Sequence, residues 1–141
     1  MSKLITRGAG ILVALAAVTT AATAGPANAV TSGDPLATGC ANGAQTIWSS
    51  NYLGVGTVEV RYSPSCGTNW VRVTGATNRA SEAGITSPAS GWQWSPSYGR
   101  SPSSYWTPMV YAPGSTCIQF RVKIQKLDGL SVWDTGYKTL C

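Results

Sequence analysis

The sequence predicts a small all-β domain, an antiparallel barrel or sandwich held together by two disulfides. Short segments alternate between apolar and polar residues, as half-buried strands do, and stretches rich in Gly, Pro, Ser and Thr separate them. After residue 29 no segment shows the period of an amphipathic helix. Four cysteines, an even number, lie in the same part of the chain, which is typical of a small exported domain with disulfide staples.

Residues 1–29 have the pattern of a secretory signal peptide. Lys3 and Arg7 form a basic start, an apolar run too short to span a bilayer follows, and Ala-Asn-Ala occupies residues 27–29. We predict cleavage after this tripeptide, with the Ala-Thr-Ala a few residues upstream as the alternative. Residues 30–141 then form a single secreted β domain of 141 − 29 = 112 residues, without a membrane span, outside the cell or at its wall.

The first half of this domain predicts two strands joined by a tight corner. Residues 56–63 alternate cleanly between apolar and polar side chains. Residues 69–74 do the same, with two valines on one face and with Trp70 and Arg72 on the other. Residues 44–48 give a weaker signal for a short strand.

Residues 75–108 have little periodicity and predict a long loop, which carries the candidate binding residues. Its aromatic residues are Trp92, Trp94, Tyr98, Tyr105 and Trp106. These rings either fill the small core beneath the loop or form a surface for sugar rings or a partner's side chains. Trp92, Trp94, Tyr98 and Trp106 are the predicted binding residues.

The C-terminal segment predicts a hairpin, after a short strand and a turn in residues 108–117. Asp128-Gly129 favours a two-residue type I′ turn, which needs positive φ at both positions. Pairing the flanking strands across this turn gives an apolar row and one charge pair from a single register. The predicted pairs are Ile124–Trp133, Val122–Thr135, Phe120–Tyr137 and Lys123–Asp134.

The cysteines are interpreted as staples, because they lack the Cys-x-x-Cys spacing of redox or zinc sites. Of three possible connectivities, Cys40–Cys66 and Cys117–Cys141 keep sequence-local segments together. Each loop closure stabilises the fold by about 3–4 kcal/mol in the chain-entropy model. The strict hairpin register leaves Cys117 and Cys141 near each other but on opposite faces, which a bulge near Gly136 would correct.

The composition excludes several kinds of chemistry. The chain has no histidine, which excludes Ser-His-Asp and Cys-His catalysis and removes the commonest metal ligand. We therefore predict no catalytic residue, metal or cofactor, although five carboxylates leave a weak case for an acid/base hydrolase. The mature domain carries 8 basic and 5 acidic residues, and its basic residues are scattered, which argues against nucleic acid as a partner.

Glu59, Arg61 and Arg72 form a second, weaker candidate site. On neighbouring strands the two arginines bracket the glutamate. This arrangement predicts either a surface ion-pair ladder worth under about 1 kcal/mol or a patch that binds an acidic ligand.

Two adjoining stretches resemble a known family. Residues 34–47 contain Asp-Pro-x-x-Thr-Gly-Cys, and residues 56–73 contain Glu-x-Arg-Tyr-Ser, Cys-Gly and Trp-x-Arg. In order and spacing they are similar to the DUF2690, or YjfA-like, family of actinobacterial secreted or wall-associated proteins. The resemblance implies export, the fold and a Cys40–Cys66 pair, but no activity, since the family has none assigned.

Together these observations predict a secreted, non-enzymatic binding module whose aromatic loop contacts a cell-wall polymer or surface glycan. The alternative is an interaction protein that binds a secreted enzyme or toxin component through the same loop or an exposed sheet edge. The acid/base hydrolase is the second alternative.

Overall fold

The computed structural model describes residues 32–141, which form eleven strands and no helix. The predicted signal peptide lies outside the described residues. The strands are β1 (Ser32–Gly33), β2 (Gln45–Tyr52), β3 (Gly56–Ser63), β4 (Thr68–Thr74), β5 (Ser81–Thr86), β6 (Gln93–Trp94), β7 (Ser104–Trp106), β8 (Met109–Tyr111), β9 (Ile118–Gln125), β10 (Val132–Asp134) and β11 (Lys138–Leu140).

The strands pair antiparallel in two sheets. The first sheet has the order β1-β8-β4-β3-β2, and β7 also pairs with β4. The second has the order β10-β9-β5-β6, and β11 also pairs with β9. The sheets face each other without closing into a barrel, so the predicted all-β fold is confirmed in its sandwich form.

The core lies between the two sheets. It consists of the apolar faces of the central strands β3, β4, β5 and β9. Burying one Val, Ile or Phe side chain of this kind contributes about 1.5–3 kcal/mol. The fully buried apolar residues of these strands are Val58, Val60, Val71, Val73, Ala83, Ile85, Phe120, Val122 and Ile124. The faces predicted for residues 56–63 and for the valines of 69–74 are therefore confirmed.

The outer face of the first sheet is covered as well. Trp70 lies on this face, as predicted, but is only 3% exposed because it packs against Met109 and Cys40. Ala41 and Ala44 pack against the same cluster, and the Cys40–Cys66 disulfide, with a Cα–Cα distance of 5.8 Å, ties this segment to the turn between β3 and β4. The predicted pairing is confirmed, and Cys66 is a staple.

The expectation of one long loop over residues 75–108 was wrong. This segment contains β5, a central strand of the second sheet, together with the short strands β6 and β7. β5 reads Ser-Glu-Ala-Gly-Ile-Thr. Its small residues give little contrast between the two faces, although Ala83 and Ile85 are fully buried against β9.

The C-terminal hairpin keeps the predicted register next to its turn. Asp134 lies opposite Lys123, and Trp133 lies opposite Ile124. The charges pair differently, however, because Lys123 Nζ lies 3.1 Å from Glu82 Oε1 and Asp134 Oδ2 lies 2.6 Å from Arg121 Nη2. The partner of Lys123 comes from a third strand, β5. An alignment of the two hairpin strands alone does not include that strand.

The predicted type I′ turn was wrong. The Lys126 amide donates to the Ser131 carbonyl (2.9 Å) across a four-residue loop, in which only Gly129 has a positive φ, at +69°. The Asp128 carboxylate accepts hydrogen bonds from the amides of Leu130 and Ser131 (both 2.9 Å). The Asp128 side chain thus provides hydrogen-bond acceptors for the backbone amides that follow it in this longer loop.

A one-residue shift at Gly136, whose φ is +65°, separates β10 from β11 on the same edge of β9. Tyr137 therefore does not lie opposite Phe120, and that predicted pair was wrong. The shift carries Cys141 to the position opposite Cys117, with a Cα–Cα distance of 4.0 Å in the disulfide. The bulge and the second disulfide are both as predicted.

Candidate aromatic binding site

Trp92 and Trp94 form a stacked pair at the edge of the second sheet. Their ring centroids are 5.1 Å apart, their planes differ by 20°, and the residues are 37% and 43% exposed. Trp94 lies opposite Gly84 of β5, where an added Cβ would come within 2.5 Å of the indole. The missing side chain at Gly84 lets the indole lie directly on the sheet.

Tyr137 lies between β10 and β11, at the opposite end of the strand order from β6, and its ring reaches this pair across the outer face of the sheet. Its ring meets Trp92 edge to face, with centroids 5.5 Å apart, and the Arg121 guanidinium carbon lies 4.8 Å from the Tyr137 centroid. Arg121 is held there by two hydrogen bonds to the Asp134 carboxylate. We call Trp92, Trp94 and Tyr137 the aromatic platform.

Trp94 also lines a cleft of about 370 Å³, which we call the aromatic cleft. Because Trp94 belongs to both features, the platform and the cleft are continuous. The cleft is lined by Gly33, Asp34, Trp94, Pro96, Tyr98, Ser104, Tyr105, Trp106 and Pro108.

Asp34 supplies the one charged group among these lining residues. Its Oδ1 accepts from the amides of Leu36 (2.7 Å) and Ala37 (3.0 Å), and its Oδ2 accepts from Trp106 Nε1 (2.9 Å). The Ala37 amide above all, and then the Trp106 indole, hold the pKa of Asp34 below its usual value. The carboxylate is therefore ionised at neutral pH and fixes the orientation of the Trp106 ring.

Tyr105 forms a buried wall of the cleft. The residue is 3% exposed, and Tyr98 packs on its ring at a centroid distance of 4.9 Å. Within the described residues, neither the Tyr105 hydroxyl nor the nearby Ser81 hydroxyl has a hydrogen-bond partner. Burial raises the pKa of Tyr105 to about 12.

The structure brings the predicted binding residues together. Trp94, Tyr98 and Trp106 line the cleft, and Trp92 stacks beside it on the platform. Both roles predicted for these rings, core packing and surface binding, occur in the structure. Tyr105 belongs to the core cluster, whereas Trp92 and Trp94 reach the surface.

Sequence reasoning missed two members of the site. Asp34 lies 72 residues before Trp106, and its only sequence signal is its place in the Asp-Pro-x-x-Thr-Gly-Cys motif. Tyr137 was assigned to the hairpin's apolar row, and the shift at Gly136 removes it from that row.

The second candidate site is a closed polar network. Arg72 pairs with Glu59, whose other oxygen accepts from the Thr46 hydroxyl at 3.0 Å. Arg61 donates to Thr46 and to the Ala44 carbonyl. Because the glutamate already occupies Arg72 and the chain itself occupies Arg61, the geometry favours the ladder over a patch for acidic ligands.

The remaining carboxylates are engaged elsewhere. Glu59, Glu82 and Asp134 form ion pairs, and Asp128 is bonded within its own loop. Within residues 32–141, no group of three or more His, Cys, Asp or Glu side chains is placed to hold a metal ion. The same residues contain no helix of the length and apolarity that a membrane span requires.

Comparison with known proteins gives one match. A family model described as a protein of unknown function, DUF2690, matches residues 28–119, well over half of the chain. No curated protein and no solved structure matches.

Proposed function

The chain belongs to the DUF2690 family, and we propose that it is a secreted, non-enzymatic module that binds a cell-wall or surface glycan. The ligand lies in the aromatic cleft and continues over the aromatic platform. Apolar faces of the sugar rings stack on the indoles, and the Asp34 carboxylate accepts hydrogen bonds from sugar hydroxyls.

The exposed Trp92–Trp94 stack beside a cleft is the observation that supports this proposal. The two indoles are only about three-fifths buried, although two large apolar rings left together at a surface are typical of interaction sites. The cleft volume of about 370 Å³ lies within the ordinary range of small-ligand sites. The adjoining platform adds a second stacking surface, so the arrangement suits consecutive units of a polymer better than one free sugar.

The carboxylates support binding rather than hydrolysis. Glycoside hydrolysis ordinarily needs two carboxyl groups on either side of the scissile bond. Asp34 is the one carboxylate among the residues that line the cleft, and its oxygens already accept three hydrogen bonds. A second group for acid/base work does not line the cleft, so the hydrolase is the weakest of the three candidates.

The secreted location is part of the proposal. It is supported by the predicted signal peptide and by the two disulfides, which persist in oxidising compartments. The actinobacterial origin and wall association implied by the YjfA-like resemblance belong to the same proposal.

Cosedimentation of the oxidised protein with purified peptidoglycan tests this function. The protein should sediment with the polymer, and the Trp92→Ala/Trp94→Ala double variant should lose at least tenfold in apparent affinity while keeping its far-UV circular dichroism. The matched control is Leu53→Ala/Leu130→Ala, which removes two side chains that are over 90% exposed and do not line the cleft. Equal sedimentation of both double variants would contradict the proposal.

A protein partner is the second candidate, and one observation favours it. Strand β2 is an eight-residue edge of the first sheet, with free backbone groups that an extended segment of another chain can pair with. A pull-down from culture filtrate with immobilised protein distinguishes the two candidates. Capture of one secreted protein, unaffected by the Trp92→Ala/Trp94→Ala change, would favour β2 over the aromatic site.

A further inference from the structure

The aromatic cleft has a charge opposite to that of the domain around it. The mature domain carries 8 basic and 5 acidic residues, which gives 8 − 5 = +3. Among the residues that line the cleft, however, Asp34 is charged and none is basic. A negatively charged cleft disfavours ligands with phosphate, sulfate or carboxylate groups and favours a cationic ligand.

The other lining groups also suit a cation. Trp94, Tyr98, Tyr105 and Trp106 present aromatic rings to the cleft, and the face of an aromatic ring carries negative potential. The Asp34 carboxylate accepts a hydrogen bond from the indole N–H of Trp106 at 2.9 Å. A negative charge at the edge of that ring makes its face still more attractive to a cation.

The neighbouring platform already holds a cation in this way. The Arg121 guanidinium carbon lies 4.8 Å from the centroid of the Tyr137 ring. That arginine is neutralised by Asp134, whereas the Asp34 carboxylate has no cationic side chain among its bonded partners, which are two amides and an indole.

We infer that the aromatic cleft binds an ammonium or alkylammonium group, held between the aromatic rings and the Asp34 carboxylate. This inference rests on the proposed function and narrows its ligand to a glycan that carries free amino groups or choline-type substituents.

The first test uses small probes on the full mature protein. Choline and its uncharged isostere 3,3-dimethylbutan-1-ol are titrated while the indole N–H resonances are followed by NMR. Choline should shift the Trp106 and Trp94 resonances at millimolar concentration, and the isostere should bind at least tenfold more weakly. Equal binding of the two probes would show that only apolar contact matters and would overturn the inference.

A charge variant then assigns the effect to Asp34. Asp34→Asn keeps an oxygen that can accept from the Leu36 and Ala37 amides, and it should lower choline affinity at least fivefold. Asp128→Asn is the matched control, since Asp128 also accepts two backbone amides but does not line the cleft. If the Asp34→Asn variant loses its thermal transition, the salt dependence of binding to the wild-type protein replaces it as the test. Added salt should weaken choline binding and leave the isostere unchanged, and an equal response of the two probes would overturn the role of the Asp34 charge.

Oligosaccharides of matched length separate this inference from the proposed function. In mildly acidic buffer, where their amino groups are protonated, chitosan oligomers should bind more tightly than their N-acetylated counterparts, and added salt should weaken only the chitosan. Equal binding of both, without a choline response, would overturn the inference and leave the glycan proposal standing. Choline binding with no response to either oligomer would overturn the glycan proposal instead, and no binding of any probe would overturn both.

Discussion

Replacing Gly84 with alanine should dislodge Trp94 and so change stability and ligand binding together. A Cβ at this position would lie 2.5 Å from the Cε3 and Cζ3 atoms of the indole. Real Cβ contacts are not this short, so either the ring or the strand must move. β5 is held on both sides, by β9 and by β6, whereas Trp94 sits at a sheet edge with 43% of its surface exposed. The ring is therefore the part that moves.

The magnitude follows from the contact that is lost. A tryptophan buries about 150–250 Å² when fully enclosed, and Trp94 is somewhat over half buried. Its contact is thus worth about 90–140 Å², or about 2–3.5 kcal/mol at 25 cal/mol per Å². Alanine recovers about 0.5–1 kcal/mol because it restricts the unfolded chain more than glycine does. We expect a net loss of about 1–3 kcal/mol.

Gly99→Ala is the matched control. Neither glycine has a positive φ, and a Cβ at Gly99 would meet nothing within 4 Å. Urea denaturation gives the free energies of unfolding, and near-UV circular dichroism follows the Trp92–Trp94 coupling. Gly84→Ala should lower the free energy of unfolding and weaken the near-UV signal, whereas Gly99→Ala should change neither quantity. If Gly84→Ala keeps the wild-type spectrum and stability, the indole does not rest on this glycine and the reasoning fails.

Three further predictions concern the staples, the turn and the buried tyrosine. Thiol titration of the unfolded, unreduced protein should detect almost no thiol. The Cys117→Ser/Cys141→Ser variant should lose about 3 kcal/mol of unfolding free energy in denaturant titrations, because the change opens a loop that spans 24 residues. A loss below 1 kcal/mol would contradict the stabilising role of this disulfide. Gly129→Val should cost about 1–2 kcal/mol, since a β-branched residue resists a φ of +69° while no neighbour lies within 4 Å to add a clash; an unchanged urea midpoint would refute it. The raised pKa of Tyr105 means that the folded state favours the neutral phenol, so its contribution to stability is complete below pH 10 and is lost as the pH rises towards 12. Tyr105→Phe should flatten this alkaline decline and gain up to about 1 kcal/mol at neutral pH, because it removes an unpartnered buried hydroxyl; a steeper decline would contradict the assignment.

Alternation and cysteine spacing were enough to predict much of the first sheet and both disulfides. β3 coincides with the predicted segment because the buried Val58 and Val60 alternate with polar Thr57, Glu59 and Arg61. β5 could not be recognised in this way, since Ala and Gly carry almost no polarity contrast and its identity as a strand depends on β9. The turn at residues 127–130 was misjudged because the Asp128 side chain, rather than the backbone, satisfies the loop amides.

The candidate site was predicted in its aromatic part only. A segment containing five large rings among Ser, Pro and Gly is visible in the sequence, whereas the Asp34–Trp106 hydrogen bond joins parts of the chain that no local pattern connects. The sequence also does not show which rings are buried, because Tyr105 enters the core through the pairing of β7 with β4, whereas Trp94 lies on Gly84 of β5.

The place of β9 in the second sheet determines when this protein can fold. β9 follows β5 in the sequence only after β6, β7 and β8, yet it pairs with β5 as well as with β10 and β11. During synthesis from the N-terminus, the pairing of β5 with β9 must wait for residues 118–125, whereas β3 and β4 follow each other directly and can pair at once. Pairings this distant in sequence make folding slow and leave apolar strands uncovered in the meantime. The second sheet therefore completes its pairing only after residues 118–125 have been made, and the earlier β3–β4 pair of the first sheet offers it an apolar surface to pack against.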